Sequence, residues 1–128
     1  MNNKLFLDIL KAYENLNEIR FKVSGNEYVY YYKHMTILEH ARINMRCHKQ
    51  TVTIKNDGTK EIKEEKQEHL FPVYTILEKA LDENGKKLYS MTDKEAFDNL
   101  IKMDIKLISM IAAEMALDIT GNLGEING

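Results

Sequence analysis

The chain has 128 residues, of which 44% are hydrophobic and 30% are charged, and its formal net charge is -2. This length suffices for one domain with its own core, and the near-neutral charge gives no general attraction to nucleic acid or to anionic membranes. The single cysteine excludes an internal disulfide and favours a reducing, cytoplasmic setting. No apolar run reaches the ~18 residues of a membrane span, so we expect no membrane partner.

Helical and strand patterns alternate through the first part of the chain. Apolar residues recur at three- and four-residue steps over residues 4–17, which predicts a short helix. Residues 19–33 alternate between apolar and polar side chains and are rich in tyrosine, so they predict a β-hairpin. Its turn is expected at Ser24-Gly25-Asn26, where Gly25 and Asn26 are both able to take positive φ.

A capping box predicts where the second helix begins. Thr36 and Glu39 have the spacing at which each side chain bonds the backbone N–H of the other, and the helix is expected over residues 37–49. The residues expected on its buried face are Ile37, Leu38, Ala41, Met45 and Cys47.

The middle of the chain predicts a second hairpin and a third helix. Residues 51–64 alternate around a tight-turn signal at Asp57-Gly58 but contribute few apolar side chains, so this hairpin is expected to project from the body. Pro72 suits the first turn of a helix, and residues 82–85 are expected to end that helix in a turn. The apolar stripe of this helix consists of Val73, Ile76, Leu77, Ala80 and Leu81.

The last part of the chain predicts one long amphipathic helix. Thr92 and Glu95 form a second capping box, and the helix is expected over residues 93–119. Its apolar stripe is broad, which favours a second contact with a partner or another subunit. Residues 121–128 have the composition of a flexible tail. The sequence therefore predicts a helix-dominated α+β fold, with a single domain over residues 1–120.

No residue pattern predicts catalysis, a metal site or a cofactor. His34, His40, Cys47 and His48 are close in sequence, but their spacing matches neither a zinc motif nor a metalloprotease motif. Cys47 and His48 are adjacent, so on a helix their side chains diverge by about 100° and do not form a nucleophile–base pair. We therefore expect a non-enzymatic protein with no metal and no cofactor.

The first hairpin suggests an alternative function in binding nucleic acid. Tyr28, Tyr30 and Tyr32 occupy alternate positions near basic residues, and aromatic side chains on a strand can stack single-stranded bases. Tyrosine is also an ordinary strand residue with one polar end, and the near-neutral charge disfavours nucleic acid as the partner.

The turns and caps of the chain follow an order that is found in one known family. A glycine-turn hairpin over residues 21–28 leads into a helix start over residues 32–39. Residues 80–90 contain the turn Asp82-Glu83-Asn84-Gly85, and residues 91–97 form an acidic helix start that precedes a closing amphipathic helix. This order resembles that of the tail assembly chaperones of long-tailed, siphophage-type bacteriophages, and it covers most of residues 19–120.

The resemblance implies a non-enzymatic, mostly helical protein of the host cell cytoplasm. Such proteins coat the tape measure protein, keep it soluble and help to recruit tail tube subunits. We expect self-association and binding through an apolar helix face that methionines make adaptable. The predicted partner-binding residues are Phe97, Ile101, Ile105, Ile108, Met115 and Ile119. Two alternatives stay open: this stripe packs only in the core, or the protein is a phage-encoded inhibitor of a host protein.

Overall fold

Five α-helices, one short 3₁₀ helix and two antiparallel β-hairpins make up residues 3–117, the part of the chain that this computed structural model describes. In chain order the elements are α1 (Lys4–Ala12), β1 (Asn17–Val23), β2 (Asn26–Tyr32), α2 (Ile37–Arg46), β3 (His48–Ile54), β4 (Lys60–Lys66), the 3₁₀ helix (Glu68–Leu70), α3 (Phe71–Lys79), α4 (Lys94–Leu100) and α5 (Ile105–Leu117). The predicted helix-dominated α+β fold with two hairpins is confirmed. The predicted tail, residues 121–128, lies outside the described residues.

The first hairpin has a two-residue turn that differs from the prediction by one position. Ser24 and Gly25 have φ values of 53° and 81°, and Val23 pairs with Asn26 across the turn. Asn26, which was expected in the turn, is therefore a strand residue, and Ser24 rather than Asn26 has positive φ. Positive φ at both turn residues is the type I′ geometry, whose twist matches that of the flanking strands.

Helix α3 lies at the centre of the core. Val73, Ile76, Leu77 and Ala80 are at most 5% exposed, which confirms four of the five residues of the predicted apolar stripe. Helix α3 ends at Lys79, before the expected turn, and the fifth residue, Leu81, forms a β-bridge with Tyr31 instead. The inner face of the first hairpin and helix α5 both contribute residues to the buried cluster that contains this stripe. The other fully buried members of the cluster are Ile19, Tyr32, Leu100, Ile108, Ile111, Ala112 and Met115.

The segment after α3 joins the helix to the edge of the first hairpin. Tyr31 donates its N–H to the carbonyl of Leu81 at 3.1 Å, and the N–H of Leu81 donates to the carbonyl of Tyr31 at 2.7 Å. The chain then reverses in the predicted turn, where Asp82 Oδ1 accepts the N–H groups of Asn84 and Lys86. This turn holds residues 81–87 beside strand β2.

Helix α2 begins as predicted but presents a different face to the protein. Thr36 Oγ1 accepts the N–H of Glu39 at 3.1 Å, and the Glu39 carboxylate accepts the N–H of Thr36 at 2.9 Å, so the capping box is confirmed. Helix α2 ends at Arg46, however, and strand β3 already begins at His48, earlier than the expected helix end at residue 49.

The predicted buried face of α2 is wrong for four of its five residues. Ile37, Leu38 and Met45 are 91%, 66% and 74% exposed and Ala41 is also exposed, whereas Cys47 is buried as expected. A single apolar residue of α2, Ile43, is completely buried.

Ion pairs to α3 and the burial of Ile43 accompany this orientation of α2. Arg42 binds Glu78, and Glu39 binds Lys79, with shortest N–O distances of 2.7 and 2.9 Å. The side of α2 that faces α3 therefore carries Glu39 and Arg42 together with the buried Ile43, whereas Ile37, Leu38 and Met45 face water.

The predicted single helix over residues 93–119 is two helices. Asp104 interrupts it, because its Oδ1 accepts the N–H groups of Lys106 and Leu107 and thereby caps the start of α5. The cap of α4 also differs from the prediction. Asp93, rather than Thr92, is the N-cap residue, and its Oδ1 accepts the N–H of Ala96 at 3.0 Å.

The first helix and the second hairpin extend from the core. Helix α1 ends at Ala12, short of the expected residue 17. In the second hairpin Val52 pairs with Ile62, and both strands are exposed along almost their whole length, as expected for a projecting hairpin. Gly58 closes its turn with a φ of 86°.

Candidate partner-binding groove

An apolar groove of about 320 Å³ lies between the start of α3 and the junction of α4 with α5. Buried side chains form its floor: Val73, Leu100 and Ile108 are 3–5% exposed and also belong to the core. Floor and core are therefore continuous, so the groove has a fixed shape that packing of the domain maintains.

One rim of the groove consists of exposed apolar side chains. Ile101, Met103 and Ile105 are 46%, 47% and 76% exposed. The break between α4 and α5 produces this rim. The N–H of Met103 donates to the carbonyl of Leu100 at 3.2 Å, so the chain turns tightly after α4 before Asp104 starts the next helix.

The opposite rim comes from the 3₁₀ helix and the first turn of α3. Leu70 and Pro72 are half-buried there, and the proline fits because the first turn of a helix leaves its N–H groups without helical partners. Glu68 and His69 are exposed on this side, and Glu68 lies 3.5 Å from Lys66. An apolar floor with a partly polar rim is the usual character of a protein-binding site.

Three of the six predicted partner-binding residues line this groove. Ile101 and Ile105 lie on its rim, and Ile108 lies on its floor. Phe97 is half-buried instead, with its ring 5.4 Å from that of Tyr74.

Met115, like Phe97, is not among the residues that line the groove. Met115 is 1% exposed in the core, so the described conformation does not offer its side chain to a partner. Ile119 lies outside the described residues.

The half of the groove that precedes α4 could not be predicted from the sequence. Leu70 and His69 come from a 3₁₀ helix about thirty residues before Ile101. The one local indication was Pro72, which marks the start of α3 and so places the residues before it outside that helix.

The tyrosines of the first hairpin do not form one exposed stacking surface. Tyr28 is 49% exposed and stacks on Phe21 with a ring separation of 5.9 Å. The Tyr30 hydroxyl lies 2.8 Å from that of Tyr89, and burial together with this hydrogen bond raises the pKa of Tyr30. Tyr32 is 2% exposed and belongs to the core. Only Tyr28 presents a large exposed fraction to a base.

The histidine and cysteine side chains make packing contacts in the fold. The ring of His34 packs edge-on against Tyr13, and the ring of His40 packs against Phe71. Cys47 is buried, and burial raises the pKa of its thiol. Within residues 3–117 no three His, Cys, Asp or Glu side chains are grouped so that they could hold a metal ion.

Further apolar side chains are exposed away from the groove. On α1 they are Leu5, Phe6, Leu7, Ile9 and Leu10, with exposures of 40–60%. On α2 the side chains of Ile37, Leu38 and Met45 form a second such face. Scattered apolar residues are normal on protein surfaces, but clusters of this size are typical of interaction surfaces.

Comparisons with protein families, with curated proteins and with solved structures found no match to this chain. Among residues 3–117, no helix combines the length and the apolar character that crossing a membrane requires.

Proposed function

We propose that the protein is a non-enzymatic binding protein that receives an apolar helix of another protein in its groove. The observation that carries this proposal is the rim of Ile101, Met103 and Ile105 above a buried apolar floor. An amphipathic helix laid in such a groove contributes apolar side chains at three- and four-residue spacing, which match a rim of separate side chains.

The exposed rim can supply a useful part of the binding free energy. Each of the three side chains is between about half and three quarters exposed, so its removal from water by a partner contributes roughly 1 kcal/mol. Together they contribute about 3 kcal/mol, which is a factor of about a hundred in the dissociation constant. Met103 adds a flexible side chain that adapts to more than one apolar contour.

The partner that we propose is the tape measure protein of a long-tailed bacteriophage. This choice rests on the resemblance of the turns and caps to the tail assembly chaperones. Three elements that support this choice are present in the chain: the first hairpin, the capping box of α2 and the turn after α3. The closing helix of the resemblance is divided here into α4 and α5. In this proposal the protein acts in the cytoplasm of the host cell, associates with itself and helps to recruit tail tube subunits.

A pull-down from infected cells tests the proposal. The tagged protein is compared with its Ile105→Glu variant, which places a charge on the groove rim at a side chain that is 76% exposed. Ile54→Glu is the matched control, because Ile54 is 69% exposed on the projecting hairpin. Circular dichroism verifies that both variants are folded.

We expect the tape measure protein to be recovered with the parent protein and with Ile54→Glu, and to be lost with Ile105→Glu. Recovery of a single host enzyme without any tail protein would replace the chaperone by an inhibitor. Recovery of nucleic acid alone would overturn the proposal.

A further inference from the structure

A second concavity, of about 230 Å³, is lined mainly by charged residues. It lies where α2, the end of α3 and the turn over residues 81–87 meet, and it shares no lining residue with the apolar groove. Gly85 also belongs to its lining, and Leu81 supplies an apolar wall.

Positive charge is in excess around this concavity. Its four cationic side chains are Lys33, Arg42, Lys79 and Lys87, and its two carboxylates are Glu39 and Glu78, which leaves a net charge of +2. The excess is notable because the whole chain has a net charge of -2. A concavity lined by an excess of one sign of charge concentrates ions of the opposite sign.

Both carboxylates are already bound by some of these cations. Glu78, whose side chain is 5% exposed, accepts from Arg42 Nε at 3.0 Å and Nη2 at 2.7 Å, and Lys87 Nζ lies 3.5 Å from its other oxygen. Lys79, which is 3% exposed, donates to Glu39 at 2.9 Å and to the carbonyl of His34 at 3.0 Å. Both carboxylates therefore already accept hydrogen bonds from cations of the concavity.

Arg42, Lys33 and Lys87 still have N–H groups that could donate to a bound anion. Arg42 has five N–H groups and uses two of them on Glu78. Lys87 is about half exposed, and Lys33 makes no ion pair with any of residues 3–117. A buried pair of charges fixes the base of the concavity, and the three more exposed cations surround its opening.

We propose that this concavity binds a single oxoanion, either phosphate or a carboxylate. The oxygens of such a group would accept the remaining N–H groups of Arg42 and the ammonium protons of Lys33 and Lys87, and its charge would balance the local excess. Charge-assisted hydrogen bonds of this kind are roughly twice as strong as neutral ones. This site does not depend on the function of the apolar groove.

Titrations of the full chain followed by NMR test this proposal. Backbone amide shifts are recorded as sodium phosphate, or in a second arm sodium acetate, is added, with sodium chloride of equal ionic strength as the reference. The test variant is Lys33→Gln with Lys87→Gln. The control is Lys22→Gln with Lys60→Gln, which removes two exposed lysines from the two hairpins.

We expect saturable shifts at the amides of residues 81–87 with phosphate or acetate but not with chloride. The arm that binds more tightly identifies the oxoanion. The test variant should weaken binding about tenfold, which corresponds to about 1.4 kcal/mol, and the control should leave the affinity unchanged. Absence of saturable shifts with both anions would overturn the proposal, as would equal weakening in the test and control variants.

Discussion

Two isoleucines of α5 provide a matched test of what holds the domain together. Ile105 and Ile108 lie about one turn apart, yet Ile108 is 5% exposed and belongs to the core whereas Ile105 is 76% exposed on the groove rim. Truncation to alanine removes the same atoms from each position. Any difference in stability between the two variants therefore reports the environment of the side chain.

The expected difference follows from burial. Ile108→Ala removes three carbon atoms from an almost dry site at roughly 0.8 kcal/mol each, and the cavity left behind adds to that cost, so the free energy of unfolding should fall by about 3 kcal/mol. At Ile105 most of the side chain is already in water, and the higher helix propensity of alanine offsets the remainder. Ile105→Ala should therefore change the free energy of unfolding by less than about 0.5 kcal/mol.

Urea denaturation followed by circular dichroism measures both changes. The midpoint should fall clearly for Ile108→Ala and remain near that of the parent for Ile105→Ala, with an unchanged slope in both. Losses of equal size at the two positions would refute the assignment of one residue to the core and the other to the surface.

Two further predictions concern a helix cap and a buried ion pair. Asp93→Ala removes the N-cap of α4 and should lower the free energy of unfolding by about 1 kcal/mol. Thr92→Ala should change it by less than about 0.5 kcal/mol. Urea denaturation measures both changes, and equal losses would contradict the assignment of Asp93 as the N-cap. Burial opposes ionisation of Glu39, but hydrogen bonds from Thr36 and Lys79 outweigh it and lower the pKa of its carboxyl. Its stabilisation is therefore present at neutral pH and is lost as the pH falls from the ordinary glutamate range through the lower folded-state value. Lys79→Met should reduce this acid-induced loss in urea denaturation, and an equal loss in both proteins would contradict the pairing.

The hairpins and turns could be predicted from the sequence because their signals are local. Asp57-Gly58 and the alternation around it fix the second hairpin within a few residues. The first hairpin differed only in which turn residues adopt positive φ, because Gly25 could have occupied either turn position. Pro72 located the start of α3 for the same local reason.

The orientation of α2 could not be predicted from its own residues. This helix has apolar side chains on two sides, so periodicity alone does not select the buried one. The buried side is the one that carries Ile43 and the ion pairs with Glu78 and Lys79, which lie more than thirty residues later in the chain. The exposed apolar face around Ile37 and Met45 is the result.

The groove was visible in the sequence only in part. Periodicity identified Ile101, Ile105 and Ile108 as one stripe. It did not distinguish rim residues from floor residues, because the apolar pattern continues past Asp104 and gives no sign that Asp104 caps a new helix. The other rim comes from the 3₁₀ helix before α3, and only the tertiary packing of α3 against α5 brings it opposite α5.

Calorimetric titration of the purified tape measure protein into this chain tests the central claim most directly. The parent protein and Ile54→Glu should bind with the same dissociation constant, and Ile105→Glu should bind at least tenfold more weakly, because the partner then covers a charge in an apolar groove. Equal affinities for Ile105→Glu and Ile54→Glu would contradict the groove as the binding site. Absence of any binding by the parent protein would contradict the proposed function.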